Sequence, residues 1–377
     1  MQSQSPDKKH VHVTFLGDST IDNKVWVDGI FKNIFFTWLG IKHDEPAVRV
    51  KKSHHWFGWF GPTLSVVENV MDMLPNEAIH DYTNDGFTTK DLLYGNFKDK
   101  VFGNGWLSLF PHQWFDPIKK GSEDIKKSDY IILSIGGNDF REFLLSANRL
   151  TGEARKAYIQ GHFPALLKCI HDRYLLIYKQ LRELNHHARI ILMTQYYPAV
   201  LQSNPLLKIY PFMHEIGQAL NMGGDEHEAM NVIHEIMQQT YAAIFKHIAD
   251  DHNLVVVDIT SSLNPYDNHN YISQIEPSGI GGKKIAQMLK YVMTGNQIAG
   301  GFAYRFAPAF FEANNQSSQS VASTALSQWV PMHPYDLYEN GKLANGAGIK
   351  LFAQNKPTLL TEKSVSVKEI TNQQPRI

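Results

Sequence analysis

The sequence predicts a doubly wound α/β domain over about residues 10–295, and three observations carry that prediction. Short apolar runs alternate with long amphipathic ones, which is the pattern of a parallel sheet covered by helices on both faces. The runs Tyr130–Ile135, Ile190–Gln195 and Leu254–Ile259 are dense in Ile, Leu and Val, as strands buried on both faces should be. Within 225–250, Met230, Ile233, Ile236, Met237, Tyr241, Ile244 and Phe245 recur at about the 3.6-residue period of a helix with one buried face.

Taken in order, Val11–Leu16 and Ala78–Tyr82 complete a set of five predicted strands. Helices are expected at 63–74, 138–149, 154–185, 225–250 and 280–293. Residues 1–10 read as an N-terminal tail. Two connections are too long for simple loops and read as insertions. The first, 24–60, holds nine Phe or Trp in 37 residues, twice the 12% aromatic content of the chain. The second, 95–128, carries Phe97, Phe102, Trp106, Phe110, Trp114 and Phe115. Such aromatics either pack as accessory helices, or fold over the rim as an acyl pocket or peripheral membrane-surface patch. Beyond 295 the character changes. Between Phe306 and Tyr335 the one charged residue is Glu312, so 296–377 reads as a partly linker-like C-terminal extension.

Composition removes several function classes. With 36 Lys+Arg against 37 Asp+Glu, the formal charge is -1, without the basic excess of a dedicated nucleic-acid binder. The lone Cys169 excludes a disulfide framework and a Cys-based zinc site. No stretch reaches the ~20 apolar residues of a membrane span, and the start has no apolar core of a secretory signal. A reducing cytosol is the simplest compartment, and the same start is compatible with export by a signal-less route. The oligomeric state is not legible.

In a parallel sheet, ligands bind outside the carboxyl ends of the strands. Gly17-Asp18-Ser19 follows the first predicted strand, Asn84-Asp85-Gly86 the second, and Gly136-Gly137-Asn138-Asp139 the third. One rim thus gathers a hydroxyl nucleophile and fixed N–H donors, the pair that acyl transfer needs. Each motif alone is more often a turn or a helix cap. The ordered set on successive strands is harder to reach by accident.

These motifs resemble the SGNH, or GDSL, hydrolases. The resemblance implies a flavodoxin-like three-layer α/β/α sandwich and a serine ester hydrolase of esterase, lipase or acylhydrolase type, acting on a small-molecule or lipid ester with no cofactor or metal. Carried over by position, it implies Ser19 as nucleophile, with the Ser19 amide, Gly86 and Asn138 as the oxyanion hole. Asp18 and Asp139 are expected to hold loops. No Gly-x-Ser-x-Gly elbow of the α/β-hydrolases is present.

The fourth block departs from the family. Where Asp-x-x-His-Pro-Ser is expected, the chain reads Ser273-Gln274-Ile275-Glu276-Pro277-Ser278, so Glu276 stands in the place of the base. The stretch resembles a divergent branch with Ile-Glu-Pro-Ser before a Gly-Gly helix. Three readings stay open. Glu276 acts as base, with a pKa raised from ~4.3 by burial; or His269 does, supported by Asp267 or Glu276; or the site is a catalytically silent binding module for an acylated ligand. The plain alternative for Glu276 is a helix-orienting role beside Ser278. His227 and His234, with Glu228 and Glu235, read as a solvated helix face rather than a metal site, and His333 as a residue of the tail.

Overall fold

The computed structural model describes residues 10–22, 64–97, 114–147, 149–199, 226–260, 263–265, 267–273, 275–295, 298–306, 329–332 and 334. Its strands are β1 (His12–Gly17), β2 (Ala78–Thr83), β3 (Asn96–Phe97), β4 (Trp114–Phe115), β5 (Tyr130–Ser134), β6 (Arg189–Met193), β7 (Leu254–Asp258), β8 (Tyr271–Ser273), β9 (Glu276–Pro277), β10 (Phe302–Phe306) and β11 (Trp329–Met332). Its helices are α1 (Val66–Met73), α2 (Thr89–Tyr94), α3 (Pro117–Lys120), α4 (Ser122–Lys127), α5 (Gly137–Ala147), α6 (Gly152–Leu184), α7 (Glu226–Ile248) and α8 (Gly279–Thr294). The five predicted strands and five predicted long helices are all present, with ends shifted by three residues at most.

The main sheet corrects the strand count. Among the described residues it has seven strands, in the order β11-β10-β7-β6-β5-β1-β2, where five were expected. Six run parallel, and β11 pairs antiparallel with β10 at the edge. Both extra strands come from the segment read as an extension. β11 is the shorter of the two and carries Pro331, which a ladder tolerates best at an edge.

Alternation along the strands sorts the core into two layers. Leu16, Ile131, Leu133, Ile190, Leu192 and Val256 face α2, α5, α6 and α7. Val13, Phe15, Ile132, Ile191, Val255 and Val257 face α1 and α8. Each fully buried side chain of this kind contributes about 1.5–3 kcal/mol. The helices start where caps allow. Ser65 and Glu68 form a capping box on α1, Thr88 and Asp91 another on α2, and Ser278 caps α8 through the Gly281 amide.

The order reverses between β1 and β5, since β2 lies on one side of that pair and β6 and β7 on the other. The crevice at the carboxyl ends of β1 and β5 is therefore the switch point where such folds take ligands. Of the aromatic insertions, 24–60 and 98–113 lie outside the described residues, as do His333 and the tail from 335. In the described part of the second insertion, Phe115 is buried beside Phe87 and Trp114 is exposed.

The added edge is held by charge as well as by its ladder. Asp258 at the end of β7 is fully buried, and Arg305 of β10 donates from Nε to its Oδ2 at 2.7 Å. Arg305→Met leaves that buried carboxylate without its cation while keeping most of the side-chain volume. The variant is expected to lose about 1–3 kcal/mol, read as a lower midpoint in urea with an unchanged slope.

Candidate active site

Three strand-end turns meet at the crevice, and each is fixed by backbone geometry. A Cβ at Gly17 would lie 2.1 Å from the Ser134 carbonyl oxygen, so only glycine lets β1 end against β5. The chain then folds over itself, with the Ile21 and Asp22 amides donating to the Asp18 carbonyl at 3.1 and 3.0 Å. That turn sets Ser19, buried, just past the end of β1. Beyond β2, the Asn84 amide donates to the Gly17 carbonyl at 3.0 Å, and Gly86 adopts φ +77°, a conformation that side chains disfavour.

The third turn opens α5. Asn138 Nδ2 donates to the carbonyl of Phe87, the residue after Gly86, at 3.1 Å. Asp139 accepts from the Thr89 amide at 2.8 Å and the Thr89 hydroxyl at 2.7 Å, with Arg173 at 3.4 Å. Asp139 therefore clamps α2 to α5 and keeps Gly86 and Asn138 on one rim. This is the loop-holding part expected of it.

The fourth segment reaches the crevice through the small β8–β9 hairpin. Ser278 accepts from the Gly281 amide at 3.1 Å and donates to the His269 carbonyl, so the cap of α8 is Ser278. Glu276 points inward instead. It is 2% exposed, and its Oε2 has no hydrogen-bond partner among the described residues. The Ser19 hydroxyl is among the groups that favour its ionised form. His269 points outward, its side chain 82% exposed and its Nδ1 3.0 Å from Asp267 Oδ1. Ser19, Asn138 and Glu276 thus share one cleft, whereas Gly86 and His269 are not among the residues lining it. His234 is half-buried and bonded to the Tyr197 hydroxyl, not on a solvated face. The side chain of His227 lies outside the described residues.

The cleft has a volume of about 770 Å³, part of it open to solvent. One end carries Asp18, Ser19, Asn138 and Glu276. The rest of the wall is apolar, with Phe140 and Leu144 of α5, Ile233 and Met237 of α7, and Ile275. Sequence reasoning missed the segment after β6. Gln195 accepts from the Thr20 hydroxyl at 2.9 Å, Tyr196 donates to the Ile275 carbonyl, and both line the cleft. The signal was partly available, because Gln195 closes a predicted strand and Tyr196 directly follows it, at the same end of the sheet as the other site motifs. Among the described residues, no group of three His, Cys, Asp or Glu could hold a metal ion.

Burial governs the charges. Desolvation pushes Asp18 up to about 7 against the bonds from Thr20, with the carboxylates of Asp139 and Asp85 adding to the rise. Its Oδ1 accepts from the Thr20 amide at 3.0 Å, while its Oδ2 is buried without a partner among the described residues. Glu276 is raised well above the ordinary carboxylate range. Burial is the largest cause, followed by the charge of Asp85; Asp18 adds to the rise, while the Ser19 hydroxyl and Arg141 oppose it.

Residues 83–315 match the family described as GDSL-like lipase/acylhydrolase. Among solved structures, the chain is similar to a lipase from a goat rumen metagenome, at 16% identity and TM-score 0.40 over 76% of this chain and 99% of that one. It is also similar to an extracellular lipase from Streptomyces rimosus, at 14% identity and TM-score 0.36 over 74% and 98%. A phospholipase A1 from Streptomyces albidoflavus gives 14% identity and TM-score 0.38 over 73% and 96%. No curated protein sequence matches the chain.

The state of Asp18 makes a stability prediction. Its folded pKa of about 7 lies above the ordinary aspartate value of 3.8, so the folded state binds more protons between those values. The stability associated with protonated Asp18 is therefore lost as pH rises through about 7. Asp18→Asn is expected to melt above wild type at alkaline pH, the gap closing as pH falls toward 4. Thermal denaturation of both proteins across that range checks this.

Proposed function

The chain belongs to the GDSL-like lipase/acylhydrolase family and acts on ester bonds, and we propose that it does so through an acyl-enzyme on Ser19. The observation that carries this reading is the meeting of Ser19, Asn138 and the buried carboxyl of Glu276 on one cleft. We assign the base to Glu276 rather than His269, because Glu276 lines the cleft with Ser19 and His269 faces solvent.

In this mechanism, ionised Glu276 takes the Ser19 Oγ proton as Oγ attacks the ester carbonyl carbon. The carbonyl π electrons move to its oxygen. The charge that forms there is met by the free N–H of Asn138 Nδ2 and by the amide of Ser19. Asn138 is suited to the task because its other N–H is already spent on the Phe87 carbonyl, which fixes the amide plane. The tetrahedral intermediate collapses, the C–O bond to the alcohol breaks, and Glu276 returns the proton to the leaving oxygen. Water then repeats the sequence and frees the acid. Glu276 can serve in place of imidazole because burial moves its pKa toward the working pH, where a base is most effective. The apolar wall of Phe140, Leu144, Ile233 and Met237 receives the acyl chain, which favours acylated or lipid esters over acetylated sugars.

Hydrolysis of p-nitrophenyl esters from acetyl to palmitoyl tests the reading. Ser19→Ala and Glu276→Gln are each expected to lower kcat by ~10³-fold or more, and Asn138→Ala by about 10²–10³-fold. His269→Ala is expected to match wild type. Met237→Trp, which fills the wall, is expected to lower kcat/KM for long chains and spare acetyl. Full activity in Ser19→Ala would instead point to water activated directly by Glu276. Failure of wild type both to turn over any ester and to react with a fluorophosphonate would leave a binding module.

The pH dependence follows from the sign of the Glu276 shift. A base must be ionised, so activity is lost as pH falls through the raised pKa of Glu276. The acid limb of kcat/KM is expected well above the ordinary carboxylate range, with the alkaline side most active.

A further inference from the structure

Gln195 is a polar side chain of the cleft that the mechanism leaves without a task. It stands just past β6, the strand beside β5, where its backbone amide donates to the Tyr241 hydroxyl at 3.0 Å. From there its carboxamide reaches two other strand ends. Oε1 accepts from the hydroxyl of Thr20, the residue after Ser19, at 2.9 Å. Nε2 donates to Ser134 Oγ, at the end of β5, over a longer 3.4 Å.

A third contact brings it to the oxyanion hole. A Cβ at Gly137, the residue before Asn138, would lie 2.8 Å from Gln195 Oε1. The carboxamide therefore fills the space that a side chain at Gly137 would need. Gly136 has a φ of +122°, which favours glycine by itself, but Gly137 is not among the glycines of positive φ. What calls for glycine at 137 is the approach of Gln195. One neutral amide thus lies against the turn that carries the nucleophile and against the first turn of α5, which carries Asn138.

We propose that Gln195 is a positioning residue, a strut that sets the separation between Ser19 and Asn138. The proposal rests on the reading of Ser19 as nucleophile and Asn138 as oxyanion donor. Those two groups come from different elements, and attack needs the ester carbonyl held between them in one geometry, where a displacement of about 1 Å can cost about 10²-fold in rate. An amide suits the post because it offers an acceptor and a donor in one plane. It also adds no charge to a cleft that already holds the carboxyls of Asp18 and Glu276. The strut forms no bond to the ester, so its effect falls on kcat and not on substrate binding.

The test compares wild type, Gln195→Met, Gly137→Ala and the double variant on a p-nitrophenyl ester, with kcat counted per site labelled by a fluorophosphonate. Gln195→Met keeps the length of the side chain and removes both of its hydrogen bonds. Gly137→Ala keeps every hydrogen-bonding group and pushes the carboxamide aside. Each is expected to lower kcat by about 10- to 10²-fold with KM near wild type, and the rate of fluorophosphonate labelling is expected to fall in step. The double variant is expected to fall no further than the weaker single one, since both changes disable the same strut. A merely structural Gln195 would lower the urea midpoint and the fraction of labelled sites while leaving kcat per site unchanged. That result, or a rise in KM at constant kcat, would overturn the proposal. Should Gln195→Met fail to fold, Gly137→Ala puts the same question with Gln195 in place. Unchanged kcat per site in an enzyme silenced by Ser19→Ala would leave the serine mechanism standing without the strut. Full activity in Ser19→Ala would remove that mechanism, and the proposal with it.

Discussion

A carboxyl buried to 2% exposure beside a serine hydroxyl, with one oxygen that nothing among the described residues satisfies, is an expensive thing to place in a protein. Most of what surrounds Glu276 can be read as the means of keeping it there. The hairpin that carries it is tied to α8 through Ser278 and to the loop after β6 through the Tyr196 hydroxyl, so the side chain has no easy route to solvent. The core supplies the stability that this arrangement consumes. Two apolar layers, one on each face of the sheet, hold the strand ends while the site bears strain in its electrostatics.

Precision at the rim comes from backbone constraints rather than from side-chain packing. Gly17 lets β1 end in contact with Ser134, the Asn84 amide latches the second turn to Gly17, and Asp139 joins α2 to α5. The three turns are therefore not independent loops. A change in one is transmitted to the others through hydrogen bonds of about 3 Å or less, which suits a site whose donors must meet a charge that exists only briefly.

The sequence displayed much of this because its signals were local. Strands dense in Ile, Leu and Val, long helices at their period, and Gly, Ser and Asn at successive strand ends are each visible within about ten residues. What was not visible depended on distance. β10 and β11 lack a strong pattern of their own, and they become strands because β7 offers an edge to pair with. The choice between Glu276 and His269, seven residues apart on one loop, depended on which side chain the hairpin turned inward. The aromatic insertions were read either as accessory helices or as an acyl pocket, and most of both lies outside the described residues. The described apolar wall comes from α5 and α7, and the periodicity of α7 had been read as a buried face alone. Asp18 looked like a loop-holding residue, and its Oδ1 is one, but nothing local shows that Oδ2 would be left bare.

The added edge has a consequence for how the chain comes to be folded. β6 pairs with β5 and β7 with β6, in the order in which they are made. β7 then presents an open row of backbone groups beside an apolar core, and its permanent neighbour begins at Phe302, more than forty residues later. During synthesis at about 5–20 residues per second, that edge is bare for some seconds in every copy. A bare parallel strand rich in Val pairs readily with another chain. The interval between Asp258 and Phe302 is thus a window of vulnerability, and β11 must follow before the outer face of β10 is itself covered.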